Sequence, residues 1–276
     1  MPIAHSLSPV LHRAAYRDLG LEWEYDAVEM DAESLPAFVQ GLGPQWRGLS
    51  LTMPLKRAVL PLLDESSETV RMSGAANTVL LTEHGLRSGH NTDVPGMVRA
   101  LGEHGLTRVQ SAVIVGGGAT ATSAVLALAR LGCREVALRV REPARAQETL
   151  DAAARVPDAP DVRVERLAEM VDGGSSAQVD VVVSTVPVAA QLPELTESLV
   201  SKAAVVFDVV YDPWPTPLGA AAVGGGRPVV HGLDLLVHQA ALQVELMTGC
   251  ERAPLEEMRV AGEAALHHSR RSEGNS

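Results

Sequence analysis

Apolar residues recur along this chain in two rhythms. From Ser8 to Gly20 they return every three or four positions, behind a Ser8-Pro9 start and before a closing glycine. That pattern predicts a helix with Ser8 as its N-cap and proline at its first position. Glu24 to Met30 reads as a strand, Asp31 to Gly41 as a capped helix, and Gly48 to Thr52 as a short strand ending at Pro54. Ala76 to Thr82 reads as another strand and Val94 to Glu103 as a helix. From Ser111 the runs become shorter and more apolar. Ala112 to Val115 has the composition of a strand buried on both faces of a parallel sheet. Glu135 to Val140, Val179 to Ser184 and Ala203 to Val209 are further strand candidates, with helices over Ala119 to Leu131 and from about Pro143. This alternation predicts a doubly wound α/β domain. The tail is helical. Leu235, Leu236, Gln239, Leu242, Gln243 and Leu246 lie three and four apart, and Gly249 stops that helix. Pro254 to His268 reads as a last helix before a polar, frayed end over 269–276.

Composition narrows the class. The 276 residues suffice for two modest domains, and aromatics at 3% leave a core of Ala, Val and Leu. A net charge of −11 argues against a nucleic-acid partner, which needs clustered Lys and Arg, but leaves an anionic small molecule open. Cys133 and Cys250 cannot make a disulfide framework and have no metal-ligand spacing around them. The nine histidines show no ligand spacing either, and His5 and His12 read as structural or flanking residues. There is no apolar run near the roughly 20 residues that span a bilayer, and no charged-then-apolar leader, so the expectation is a cytoplasmic chain that does not enter a membrane.

Gly116-x-Gly118-x-x-Ala121 stands between a predicted buried strand and a predicted helix. Such a turn needs its first glycine to turn tightly, its second to let a pyrophosphate approach the backbone, and a small third residue for close helix packing. The helix start then offers unpaired N–H groups to the phosphates. Gly116, Gly117, Gly118, Ala119 and Ala121 are therefore expected to cradle a dinucleotide. The next strand ends in Arg139-Val-Arg141-Glu142, with Arg145 shortly after. Two or three guanidiniums there favour the 2′-phosphate of NADP over the bare ribose of NAD, although Glu142 could turn towards a ribose or pair with Arg145.

Polar clusters mark the first hundred residues: Ser6-Leu-Ser8-Pro9, Ser50-Leu-Thr52-Met-Pro54-Leu-Lys56, Gly74-Ala-Ala-Asn77-Thr78 and Gly89-His-Asn91-Thr92-Asp93. Singly, each has a plain reading: a helix cap, a surface lysine, a turn asparagine, another cap. In series they resemble the shikimate dehydrogenase family. Pro2 to Pro9 is similar to that family's opening motif, Leu51 to Lys56 to its lysine motif, and Ala75 to Thr78 and Asn91 to Asp93 to the two segments that follow. Asp208-Val-Val-Tyr211 with Thr216-Pro-Leu218, and Gly232 to Ala240, resemble its later segments.

The resemblance implies two α/β domains. Residues 1–95 form a substrate-binding, catalytic domain on which C-terminal helices at about 238–270 pack back, and 96–237 form a Rossmann-like NADP-binding domain. It implies reversible, NADPH-dependent reduction of 3-dehydroshikimate to shikimate. Ser6 and Ser8 would hold the substrate carboxylate, and Thr52, Asn77, Tyr211 and Gln239 would read its hydroxyls. Lys56 would stabilise the charge growing on the carbonyl oxygen and supply its proton, oriented by Asp93. Thr185, in the Val183 to Pro187 segment, and Gly232 would lie at the nicotinamide end, with Arg141 and Arg145 at the 2′-phosphate. The state would be monomer or homodimer. The family usually carries a strand before the Pro-Ile motif, where this chain has only Met1, so an unpaired sheet edge is expected. Three rivals stand beside this reading: an NAD-dependent quinate/shikimate dehydrogenase, a catalytically silent sensor homologue, and a generic nucleotide-binding domain without dehydrogenase activity.

Overall fold

In a computed structural model of the chain, residues 3, 6–82, 84–167 and 177–273 are described, without the side chains of 269–273. Pro2, Ala4 and His5 of the opening motif lie outside them, as do residues 274–276 of the expected frayed end. The fold is α/β with two compact units. One comprises Met1–Arg71, Ala75–Thr92 and Leu236–Ser276, the other Met72–Gly74 and Asp93–Leu235.

The first unit holds a four-stranded sheet of β1 (Gly48–Ser50), β2 (Glu65–Ser66), β3 (Thr78–Leu81) and β4 (Arg87–His90), in the order β1-β3-β4-β2. β3 runs antiparallel to β1 and β4, while β2 and β4 are parallel. Its core gathers Leu35, Val39, Leu51, Leu55, Val59, Val70, Ala76 and Val79. The chain returns from the second unit through the helix Gly232–Thr248, and the last helix, Leu255–Glu273, packs against the first, Ser8–Asp18. The last helix thus runs through residues 269–273, which their polar composition marks as frayed.

Two expectations fail here for physical reasons. Glu24 to Met30 forms no strand. Exposure alternates through its first residues as a strand's does, but a strand exists only through ladder hydrogen bonds, and the sheet ends at β1. Ser8 is not the N-cap of the first helix; Leu7 is, and it makes no side-chain cap. Ser8 is the first helical residue, and its N–H donates instead to Ser6 Oγ at 3.4 Å.

The second unit holds a wholly parallel six-stranded sheet. Its strands are β5 (Ser111–Val115), β6 (Glu135–Val140), β7 (Asp161–Arg166), β8 (Val179–Ser184), β9 (Ala203–Asp208) and β10 (Val229–Val230), in the order β10-β9-β8-β5-β6-β7. This is the doubly wound order, whose direction of winding reverses between β5 and β8. Alternate residues serve opposite faces. Ala112, Ile114, Val181, Val183 and Phe207 join one core with the helix Ala119–Arg130, and Val113, Val115, Val182 and Val206 join another with Leu195, Leu199 and Leu218. Among the described residues no helix is long and apolar enough to cross a membrane, and no three His, Cys, Asp or Glu side chains cluster as a metal site.

Candidate active site

In the first unit the polar residues converge on Asn77, which ends the turn before β3. Leu51 N–H donates to Asn77 O at 2.7 Å, Asn77 N–H to His90 O at 3.0 Å, and Ala76 N–H to Lys56 O at 2.8 Å. The first and last of these bonds fix the segment from Ser50 to Lys56 beside Asn77, and the second ties Asn77 to β4. That segment turns through a cis Met53–Pro54 bond into the short helix Leu55–Ala58, where Lys56 is half-buried. Thr52 lies exposed at the same turn, its carbonyl accepting from Leu55 N–H at 2.8 Å.

The Asn77 side chain is 1% exposed and fully held. Its Oδ1 accepts from Thr92 N–H at 2.8 Å and from the Thr78 hydroxyl at 2.9 Å. Its Nδ2 donates to Thr92 Oγ1 at 2.8 Å and to Gln239 Oε1 at 3.3 Å. Gln239 in turn donates to Leu236 O at 2.9 Å. Asn77 and Gln239, distant in sequence, are thus brought together. Tyr25 stands within polar reach of both Ser8 and Ser50. Burial raises the Tyr25 pKa, and those two serines pull it back in part.

Sequence reasoning missed Tyr25, Ser50, Thr78, Thr92 and Gln243 as members of this cluster. Ser50, Thr78 and Thr92 stand inside the quoted motifs, within two residues of those chosen. Gln243 carries a further signal, because Gln239 and Gln243 form an i, i+4 polar pair on an otherwise apolar helix face.

In the second unit the glycine turn sits at the switch between β5 and β8. Gly116 has φ of +119°, and a Cβ there would strike Thr185 Oγ1. Thr185 clamps the turn, its N–H and its hydroxyl each donating to Val115 O at 2.9 Å. Gly117 is equally confined, since a Cβ would lie 2.9 Å from Arg145 O. Over Gly118 nothing lies within 4 Å of a built Cβ. This open ground stands at the N-cap of the helix Ala119–Arg130, where backbone N–H groups lack intrahelical partners. Ala121 is fully buried and lets that helix pack on the sheet.

At the end of β6 the guanidiniums separate. Arg141 and Arg145 are exposed beside the turn, with Arg145 N–H donating to Glu142 O at 2.9 Å. Arg139 is buried, and its Nε donates to Glu165 Oε2 on β7 at 2.9 Å. The expected group of two or three is therefore two, because Arg139 lies within β6, covered and opposite Glu165, while Arg141 and Arg145 follow the end of the strand.

Asp93 opens the helix Asp93–Glu103 and is buried. Tyr211 follows β9 on a segment held by Asp208, whose Oδ2 accepts from Thr216 Oγ1 at 2.6 Å and Gln191 Nε2 at 2.9 Å. Burial raises the Asp208 pKa against the pull of these bonds. Gly232 faces the same segment, and a Cβ there would strike the backbone of Val209 and Val210.

Profiles of known families give this geometry its context. That of the shikimate dehydrogenase substrate binding domain matches residues 1–79, and that of the shikimate 5′-dehydrogenase C-terminal domain matches residues 232–261. The shikimate dehydrogenase (NADP(+)) of Desulfitobacterium hafniense is 35% identical over 273 residues, covering 96% of each chain. The chain belongs to the shikimate dehydrogenase family. Two solved structures of shikimate dehydrogenases agree with it over nearly their whole length. That from Mycobacterium tuberculosis is 39% identical with a TM-score of 0.83, covering 95% of this chain and 96% of that one. The Thermus thermophilus shikimate 5-dehydrogenase, solved in complex with NADP(H) and shikimate, is 32% identical with a TM-score of 0.81, covering 96% and 97%. Within the shikimate dehydrogenase match, residues 1–79 carry Ser6, Ser8, Thr52, Lys56 and Asn77, and residues 232–261 carry Gly232, Gln239 and Gln243.

Proposed function

We propose that this chain catalyses the reversible, NADPH-dependent reduction of 3-dehydroshikimate to shikimate, as a cytoplasmic monomer or homodimer with no nucleic-acid or membrane partner. The observation that carries the reading is the convergence in the first unit of Asn77, Thr92 and Gln239, with the Ser50 to Lys56 segment fixed beside them. The first unit is assigned the substrate and the second the dinucleotide.

The residues of the second unit fit NADP. The turn at Gly116–Gly118 leaves open ground at a helix start, where N–H groups meet a pyrophosphate. Arg141 and Arg145, exposed at the end of β6, supply charge for a 2′-phosphate. Thr185 and Gly232 shape the backbone at the nicotinamide end. Bound there, the cofactor supplies the hydride.

The chain supplies the rest. Ser6 and Ser8 hold the substrate carboxylate through neutral hydrogen bonds, and Thr52, Asn77, Tyr211 and Gln239 read the hydroxyl pattern. Negative charge builds on the substrate's carbonyl oxygen as it is reduced. The Lys56 ammonium, with Asp93 as its orienting carboxylate, stabilises that charge and then gives the oxygen its proton. Oxidation of NADPH by 3-dehydroshikimate tests the reading. Lys56→Ala should cut kcat by about 10³-fold while the Kd for NADPH stays as in the parent. Unchanged turnover would remove Lys56 from the chemistry.

A further inference from the structure

The hydrogen bonds around Asn77 do not stop at the residues assigned to substrate. They continue through Gln243 to His12 and Tyr16, all of them nearly or wholly buried. Gln243 Nε2 donates to Asn77 O at 3.2 Å and to Thr78 Oγ1 at 2.9 Å. Gln243 Oε1 accepts from Ser50 Oγ at 2.9 Å and lies 3.2 Å from His12 Nε2. His12 Nδ1 lies 3.2 Å from Tyr16 OH, and the ring stacks on Tyr25 with centroids 4.2 Å apart.

Every direction in this relay is determined by a backbone group. Asn77 O is a carbonyl and can only accept, so the amide nitrogen of Gln243 must face it and the amide oxygen must face His12. His12 therefore carries its proton on Nε2, and Nδ1 accepts from Tyr16 O–H. At the other end Thr92 N–H can only donate, which fixes the Asn77 oxygen on that side. The Thr78 hydroxyl, accepting from Gln243, has its one proton left for Asn77 Oδ1. The order is Tyr16 to His12 to Gln243 to Thr78 to Asn77 to Gln239, donor to acceptor at each step. Beside it, Ser50 donates to Gln243, and Tyr25, stacked on His12, stands within polar reach of Ser50 and Ser8.

From this we infer that His12 and Gln243 are positioning residues, which hold the amide of Asn77 and the hydroxyl of Ser8 in one fixed relation without touching substrate themselves. The inference rests on the assignment of Asn77 and Ser8 to substrate. Its physical basis is that buried hydrogen-bonded chains polarise one another and admit one arrangement when every member is satisfied. Thr92 N–H sets which end of the Asn77 amide is oxygen, and the relay holds that amide in place through the Thr78 hydroxyl. With Thr92 and Thr78 on its oxygen and Thr92 and Gln239 on its nitrogen, it has one orientation, the nitrogen turned to Gln239. A neutral His12 is required throughout, and its burial keeps it neutral by lowering its pKa to about 4.

Two measurements on the full-length chain test this. The first needs no substrate: long-range 15N–1H correlation of histidine-labelled protein between about pH 5.5 and 8 should show His12 as the Nε2–H tautomer. An Nδ1–H ring, or a cationic ring at about pH 6, overturns the relay whatever the enzyme does. The second uses Gln243→Met, which keeps the volume, and Tyr16→Phe, which removes only the far hydroxyl. We expect KM for shikimate to rise about tenfold in the first and about twofold in the second, with kcat and KM for NADP+ nearly unchanged. Loss of packing alone would instead lower the active fraction, and so kcat, at constant KM. Unchanged KM in both folded variants overturns the inference, and Tyr16→Phe keeps the test open should Gln243→Met fail to fold. If the parent chain does not turn over shikimate, the functional assignment fails instead, and the tautomer measurement still decides the relay.

Discussion

At the scale of single residues, His12 has an effect that reaches stability. Its ring is wholly buried and its pKa lies at about 4 rather than 6.5, because desolvation disfavours the cation more than the bond to Gln243 favours it. In the unfolded chain the ring gains a proton as the pH falls below about 6.5, whereas the folded ring stays neutral down to about 4. The stability it confers is complete above that range and is lost as the pH falls through it. The loss should amount to about 3 kcal/mol, read as a falling denaturation midpoint between about pH 7 and pH 4. His12→Phe should be less stable at neutral pH yet lack this part of the slope, and an equal slope in both chains would contradict the assignment. The sequence marked His12 as structural, which is true of its burial. It could not show the partners, since Gln243 lies on a different helix and only the fold brings the two within 3.2 Å.

At the scale of elements, the strand–turn–helix from β5 to Ala119–Arg130 was the most legible part of the chain. Its glycines have separable duties: Gly116 turns under Thr185, Gly117 passes beside Arg145, and Gly118 leaves open ground. Gly116→Ala places a Cβ at a φ of +119° against Thr185, and should lower stability by about 2 kcal/mol or more and abolish NADPH binding. Thermal denaturation and fluorescence titration read the two effects, and a stable, NADPH-binding variant would contradict the reading. The arginines of β6 separate in the same way. Arg141→Ala should weaken NADPH by about tenfold and leave NADH unaffected, since it removes one charge-assisted contact. Arg139→Met should leave that ratio unaltered, because its guanidinium is committed to Glu165. Elsewhere local pattern was insufficient. Asp161–Arg166 alternates charged and apolar residues and forms the edge strand β7, but its charges hid it. The two-residue strands β2 and β10 are too short to have a period. Glu24 to Met30 reads as a strand and lacks the partner that would make it one.

At the scale of the whole molecule, the order of chain segments matters most. Gln239 and Gln243 belong to the first compact unit although Asp93–Leu235 of the second separates them from Asn77 in sequence. Ordered motifs identified the family, and with it Gln239. The cooperative set around Asn77 was not legible, because its members are linked through side chains and backbone carbonyls that only register and turn geometry bring together. Aromatic residues, scarce overall, gather here, with Tyr16 and Tyr25 packed against His12 and Trp23 against Tyr16. The most direct test of the function is the initial rate of shikimate oxidation with NADP+, compared with NAD+ and with quinate in place of shikimate. Rapid turnover of shikimate with NADP+ is expected, with much slower rates in the other combinations. A chain that reduces NAD+ faster, prefers quinate, or turns over neither substrate would contradict the proposed function.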